Sequence, residues 1–155
     1  MDTKLKKIFS YLKELFPDAQ TELRYSTPFQ FLVAVMLSAQ ATDVQVNKVT
    51  EKLFLKIKTP ADLVRLGFKD FQKTISSINY YKTKAKNIWK TSQILVKNCT
   101  KSSKIAQNCG IPNTLDELME LPGIGVKTAK LIAHVLYDKP YIAVDTHVQR
   151  VANRL

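Results

Sequence analysis

The chain has 155 residues, 45% hydrophobic and 24% charged, which suits one globular domain with a sizeable core and excludes a low-complexity chain. Lysine and arginine number 24 against 13 acidic residues, and the resulting net charge of +11 favours a polyanionic partner, although a solubilising lysine-rich surface would give the same number. No apolar run approaches the roughly 20 residues that span a bilayer, no basic amphipathic segment carries a Trp/Phe-rich face, and Met1 to Lys7 lacks a signal-peptide core behind it, so the expected location is cytoplasmic.

Lys4 to Phe16 carries Leu5, Ile8, Phe9, Leu12, Leu15 and Phe16 at a helical period, and Pro17 closes it. Thr27-Pro28-Phe29-Gln30 combines a cap, a proline at the first helical position and a glutamine at the third. It opens an apolar stretch over Phe29 to Leu37. Length alone would also suit a buried strand there; the cap argues for a central helix. Asp43 is read as the cap of the next helix, with the stripe Val46, Val49, Leu53 and Ile57. Thr59-Pro60 repeats the cap-plus-proline start, and Gly67 reads as the stop. Helices over Phe68 to Ile78 and Lys82 to Val96 follow. Cys99 to Pro112 is polar and irregular and reads as a surface loop. Thr114 to Glu117 is a capping box opening Leu115 to Leu121. Further helices run from about Val126 to Tyr137 and from near Asp145, with Val148, Val151 and Leu155 on one face. The expected fold class is all-α. Asn153-Arg154-Leu155 carries no glycine, proline or cap, so the chain reads as a fragment or as one shortened relative to its ancestor.

The segment that carries chemistry is L-P-G-I-G-V-K-T-A, Leu121 to Ala129. Pro122 ends the preceding helix. Gly123 and Gly125 permit positive φ and close backbone approach, and Ile124 can plug the hairpin into the core. The N–H groups of about Gly123 to Lys127 then face outward at a helix start and can bind a phosphate oxygen, reading backbone and not sequence. An ordinary tight helical hairpin is the plain alternative. Lys127 sits just past the glycines, and Asp145 follows 18 residues later (145 − 127). An amine of ordinary lysine pKa is neutral at pH 7 in roughly one molecule in 2,500. Attack on a sugar carbon needs that neutral form. Desolvation would favour it, and a carboxylate nearby would oppose it. The two groups fit one mechanism if Asp145 takes the lysine proton or stabilises positive charge developing on the sugar. A plain N-cap for the last helix is the simpler role for Asp145.

Ser38 to Asp43, small and polar after an apolar element, reads as a loop at a cleft or as a simple turn. Tyr80-Tyr81 between two helices offers an aromatic for wedging into a base stack, or for the core. Trp89 is assigned to the core. Cys99 and Cys109 stand ten positions apart, match no metal-ligand spacing and read as free thiols, so no metal site is expected.

These segments resemble the endonuclease III family of helix–hairpin–helix DNA glycosylases. The resemblance rests on Pro28 to Asp43 (PFQFLVAVMLSAQATD), Val46 to Lys48, Lys84 to Ile88 (KAKNI), Leu121 to Ala129 and Ile142 to Arg154 (IAVDTHVQRVANR). It implies a six-helix-barrel-like domain over 22–139, with the helix–hairpin–helix at 115–137. It also implies an N-terminal helix in 1–21 and only the start of a second domain in 140–155. The implied activity is base-excision repair of duplex DNA: flipping out an oxidised pyrimidine, cleaving its glycosidic bond and nicking the strand by β-elimination. Glycosylases for other lesions, or a DNA-binding module without catalysis, are the alternatives.

Carried over by position, Lys127 is the Schiff-base nucleophile and Asp145 the catalytic carboxylate. Gln40 fills the gap left by the flipped base, and Tyr80 stands where the family has an apolar wedge. Leu121, Gly123, Ile124, Gly125, Val126, Thr128 and His147 complete the expected DNA-binding set. Val126 replaces a common basic residue, and the Cys99 to Pro112 loop reads as longer than usual. The family's [4Fe–4S] cluster is bound by a C-terminal four-cysteine segment absent here, so no cofactor is expected in this chain. The expected partner is double-stranded DNA with a damaged base or abasic site, in a nucleoid setting. The expected state is a monomer, with self-association through the last helix as the other option.

Overall fold

The computed structural model describes residues 3–17, 20–101 and 110–154. Among them the regular structure is helical throughout: α1 (Thr3–Leu15), α2 (Pro28–Ser38), α3 (Asp43–Phe54), α4 (Pro60–Leu66), α5 (Phe68–Thr74), α6 (Tyr81–Lys101), α7 (Leu115–Met119), α8 (Val126–Tyr137) and α9 (Thr146–Ala152).

The core forms around α2, whose residues from Phe29 to Leu37 are all buried. An almost wholly apolar helix has no solvent face, so it must sit centrally; α3, α6 and α8 pack around it. Thr27 caps it, accepting the Gln30 N–H at 3.2 Å. Gln30 is itself buried and reaches back one residue further than a standard capping box. Its Oε1 accepts the Ser26 N–H at 2.8 Å, and its Nε2 donates to the carbonyls of Phe54 (3.1 Å) and Ile57 (2.8 Å). The cap glutamine therefore also ties the end of α3 to the start of α2.

Several boundaries differ from the sequence expectation. The cap of α3 is Thr42, whose hydroxyl accepts the Gln45 N–H; Asp43 is the first helical residue. At α4 both halves of a capping box form between Thr59 and Asp62, and Gly67 closes the helix at φ 91°. α5 stops at Thr74, and α7 stops at Met119. α6 continues through Cys99 to Lys101, where the sequence reads as loop; residues 102–109, with Cys109, lie outside the described residues, as does Leu155. Cys99 is a free thiol, and burial pushes its pKa up. Trp89 is half-buried and meets Phe68 edge-on at 5.7 Å.

The two ends of the described chain differ from this centre. Neither α1 nor α9 contains a buried residue. The apolar stripe of α1, with Phe9 58% and Leu15 50% exposed, faces solvent. No described helix is long and apolar enough to cross a membrane.

Candidate active site at the helical hairpin

The hairpin joins α7 to α8 and is built as its sequence suggests, with one correction. Gly123 adopts φ +83°, and a Cβ there would lie 2.7 Å from Asn87 Nδ2. Only glycine fits that position without displacing Asn87. Gly125 does not need its freedom in the same way: it lies at φ −96°, ψ 176°, and a Cβ would meet nothing within 4 Å. It is the N-cap of α8 without a side-chain cap, so the space beside the helix start stays open.

Ile124 is buried and its N–H is taken by the Leu121 carbonyl at 3.1 Å. It cannot contribute to an outward-facing set of amides. The first bond of the α8 ladder runs from the Ala129 N–H to the Gly125 carbonyl at 2.8 Å. The N–H groups of Val126, Lys127 and Thr128 precede it and are the orphan donors every helix start leaves. Leu121 is also buried, so it supports the hairpin from below, whereas Val126 is 55% exposed beside the open amides.

Lys127 and Asp145 meet. Lys127 Nζ donates to Asp145 Oδ2 at 3.1 Å. The other carboxylate oxygen caps α9, accepting the N–H of Val148 at 2.8 Å and of His147 at 3.0 Å. Asp145 is thus the cap of α9 through one oxygen and hydrogen-bonded to Lys127 through the other. The Val148 N–H first, then the Lys127 hydrogen bond, hold its carboxyl well below the usual range, at about 2. The pair is open: the Lys127 side chain is 55% exposed and that of Asp145 31%. The described residues therefore do not desolvate the resting amine, contrary to what its chemistry would favour.

A cavity of about 180 Å³ adjoins Lys127, lined by Ser38, Ala39 and Gln40 at and just after the end of α2 and by Lys127 and Thr128 from the start of α8. The structure thus brings Gln40, Lys127 and Thr128 to one hollow. Gln40 and Tyr80, both exposed, stand at φ 55° and φ 58°. They are coupled through a hydrogen bond from Asn79 Nδ2 to the Gln40 carbonyl at 3.2 Å. His147 is exposed on α9, its Nδ1 3.3 Å from Arg150.

Residues 33–155 match the model of the HhH-GPD superfamily base excision DNA repair protein. Endonuclease III of Rickettsia prowazekii (strain Madrid E) is 44% identical over 151 residues, covering 97% of this chain and 68% of that protein. The chain belongs to the endonuclease III family. The Bacillus subtilis (strain 168) endonuclease III is also 44% identical, over 142 residues, and here the match covers 92% of this chain and 61% of the relative. The chain thus spans about three fifths to two thirds of the length of such relatives. A solved trapped endonuclease III–DNA covalent intermediate (estranged-adenine complex) superposes with a TM-score of 0.84 at 42% identity, over 100% of this chain and 70% of that one. Family and helix–hairpin–helix fold agree with the sequence resemblance.

The family's cluster requires four thiolates. This chain has two cysteines, and no three His, Cys, Asp or Glu of the described residues come together as a metal site. The residues present do not fit the cluster.

Sequence reasoning missed the supports beneath the site. Lys84, Asn87 and Thr91 lie along one face of α6. Lys84 Nζ donates to the carbonyls of Leu37 and Ala39 at 2.8 and 2.6 Å, Asn87 packs against Gly123, and the Thr91 hydroxyl donates to the Pro122 carbonyl at 3.2 Å. The available signal was a lysine placed within the apolar stripe of Tyr81, Ala85 and Ile88.

Proposed function

We propose that the chain is the catalytic part of a bifunctional DNA glycosylase and abasic-site lyase acting on oxidised pyrimidines in duplex DNA. The observation that carries it is Lys127 Nζ at 3.1 Å from an ionised Asp145, at a cavity beside unpaired helix-start amides. The covalent DNA intermediate trapped with the relative supports the same class of chemistry.

In this reading a phosphate oxygen sits on the amides of Val126 to Thr128, where the helix dipole favours negative charge. Gln40 and Tyr80 enter the space vacated by the flipped nucleotide. Neutral Lys127 Nζ forms a bond to C1′ as the C1′–N bond to the base breaks; the base leaves with that electron pair and is protonated. The attached nitrogen loses one proton, its lone pair forms the C1′=N bond as the C1′–O4′ bond breaks, and O4′ takes up a proton, leaving a protonated imine at C1′. Loss of a C2′ proton then expels the 3′ phosphate and nicks the strand. Asp145, held ionised at rest by the Val148 N–H and by Lys127, takes the lysine proton as reaction begins or stabilises positive charge on the sugar.

Borohydride trapping on duplex DNA containing an abasic site tests the reading. The chain gives a covalent adduct, and Lys127→Ala abolishes it while DNA binding persists. Adduct formation by Lys127→Ala equal to the parent's overturns it. A binding module without catalysis is the competing reading, favoured by the absence of any buried residue in α9; it gives salt-sensitive binding and no adduct.

A further inference from the structure

Lys84 is 9% exposed, yet among the described residues no carboxylate lies within ion-pair distance of it. Its ammonium is committed to two backbone carbonyls, Leu37 at 2.8 Å and Ala39 at 2.6 Å. These stand where α2 ends, and a helix C-terminus favours a cation. The chain then turns sharply: the very next residue, Gln40, sits at φ 55°, a conformation non-glycine residues hold only when their surroundings impose it.

The other strained residue, Tyr80, lies four positions before Lys84, and the Lys84 N–H closes the first turn of α6 on the Tyr80 carbonyl at 3.1 Å. Asn79, preceding Tyr80, donates to the Gln40 carbonyl at 3.2 Å, and Gln45 Nε2 donates to the Ser77 carbonyl at 2.6 Å. One lysine thus touches both sides of a sewn pair of turns, each of which exposes one side chain, Gln40 at the cavity and Tyr80 on the surface.

We infer that Lys84 is a positioning residue that holds the Gln40 turn and the Tyr80 turn as one preformed double wedge for the gap left by an extruded nucleotide. The inference rests on the DNA-repair reading above. Lys84 needs no contact with DNA to act; it fixes the carbonyls on either side of Ser38, and so the direction in which Gln40 leaves α2.

The test measures binding of the chain to two duplexes that differ only in one abasic site, with 2-aminopurine opposite that site. Lys84→Met keeps the affinity for undamaged duplex within about twofold, since phosphate contacts are untouched. It lowers the preference for the abasic duplex by about tenfold, at least as much as Gln40→Ala does, and the double variant loses no more than Lys84→Met alone. The 2-aminopurine emission change falls in parallel. Asn79→Ala, at an exposed position, removes the other tether and gives a smaller loss in the same direction, which keeps the test open if Lys84→Met fails to fold. Equal losses on both duplexes, or additive losses in the double variant, overturn the inference and leave a structural lysine only. A parent chain with no abasic preference and no borohydride adduct overturns the DNA-repair reading itself, and the inference with it.

Discussion

The two members of the Lys127–Asp145 pair are mounted differently. Lys127 stands at the start of α8, whose Ala129, Ile132 and Ala133 are buried against the core around α2. Asp145 caps α9, a seven-residue helix with no buried residue. Packing fixes the helix that carries the amine; hydrogen bonds hold the carboxylate at the start of an unburied one. Since local opening costs least where few apolar contacts are lost, the site has a rigid half and a loose half. The sharpest way to break this contrast is to truncate one apolar residue on each side. Phe31→Ala, in the fully buried face of α2, is expected to destabilise the chain by about 3–5 kcal/mol, and Val148→Ala in α9 to stay within about 0.5 kcal/mol. Urea denaturation followed by far-UV circular dichroism measures both. Similar losses would mean that α9 is packed far better than its exposure implies.

A finer contrast lies inside the hairpin. Gly123→Ala combines positive φ with a Cβ driven against Asn87, and is expected to cost about 1–3 kcal/mol and to weaken DNA binding by tilting the amides. Gly125→Ala meets open space at ordinary φ and leaves stability nearly unchanged. Its effect belongs to binding only, because the new methyl projects where a phosphate would approach. Thermal melts with and without duplex DNA separate the two. Equal loss of stability at both positions would contradict the geometry.

The same physics decides how far the sequence could be read. The caps at Thr27, Thr59, Thr114 and Asp145 were legible because short-range hydrogen bonds are written in three or four consecutive residues. The choice of Asp43 over Thr42 failed because both residues can cap, and only the backbone conformation, extended at Thr42, tells them apart. Lys127 and Asp145 were legible through the hairpin glycines and the resemblance. Lys84 and Asn87 were not, since what they hold lies about 45 residues earlier and 36 residues later, and nothing local announces such a pairing. The positive φ at Gln40 and Tyr80 was equally invisible: neither residue type favours it, and tertiary ties impose it.

The smallest effect concerns the loose half alone and is read as a function of pH. The folded-state pKa of Asp145, about 2, lies below its ordinary value of 3.8, because the Val148 N–H and then Lys127 bind the ionised form. A depressed carboxylate pKa contributes stability that is fully present above the unfolded value and is lost as pH falls through the folded one. The cap of α9 and the lysine contact should therefore be intact from neutral pH down to about 4 and be lost as pH falls through about 2. Amide chemical shifts of His147 and Val148 followed by NMR report it directly. High salt should weaken only the exposed lysine contact and leave the two backbone hydrogen bonds to the carboxylate in place. In the proposed reaction, an acid limb near pH 5–6 would belong to a group other than Asp145. A titration of the His147 and Val148 amides centred near 4 would instead show that the carboxylate is not held, and that α9 opens in solution far more often than its cap suggests.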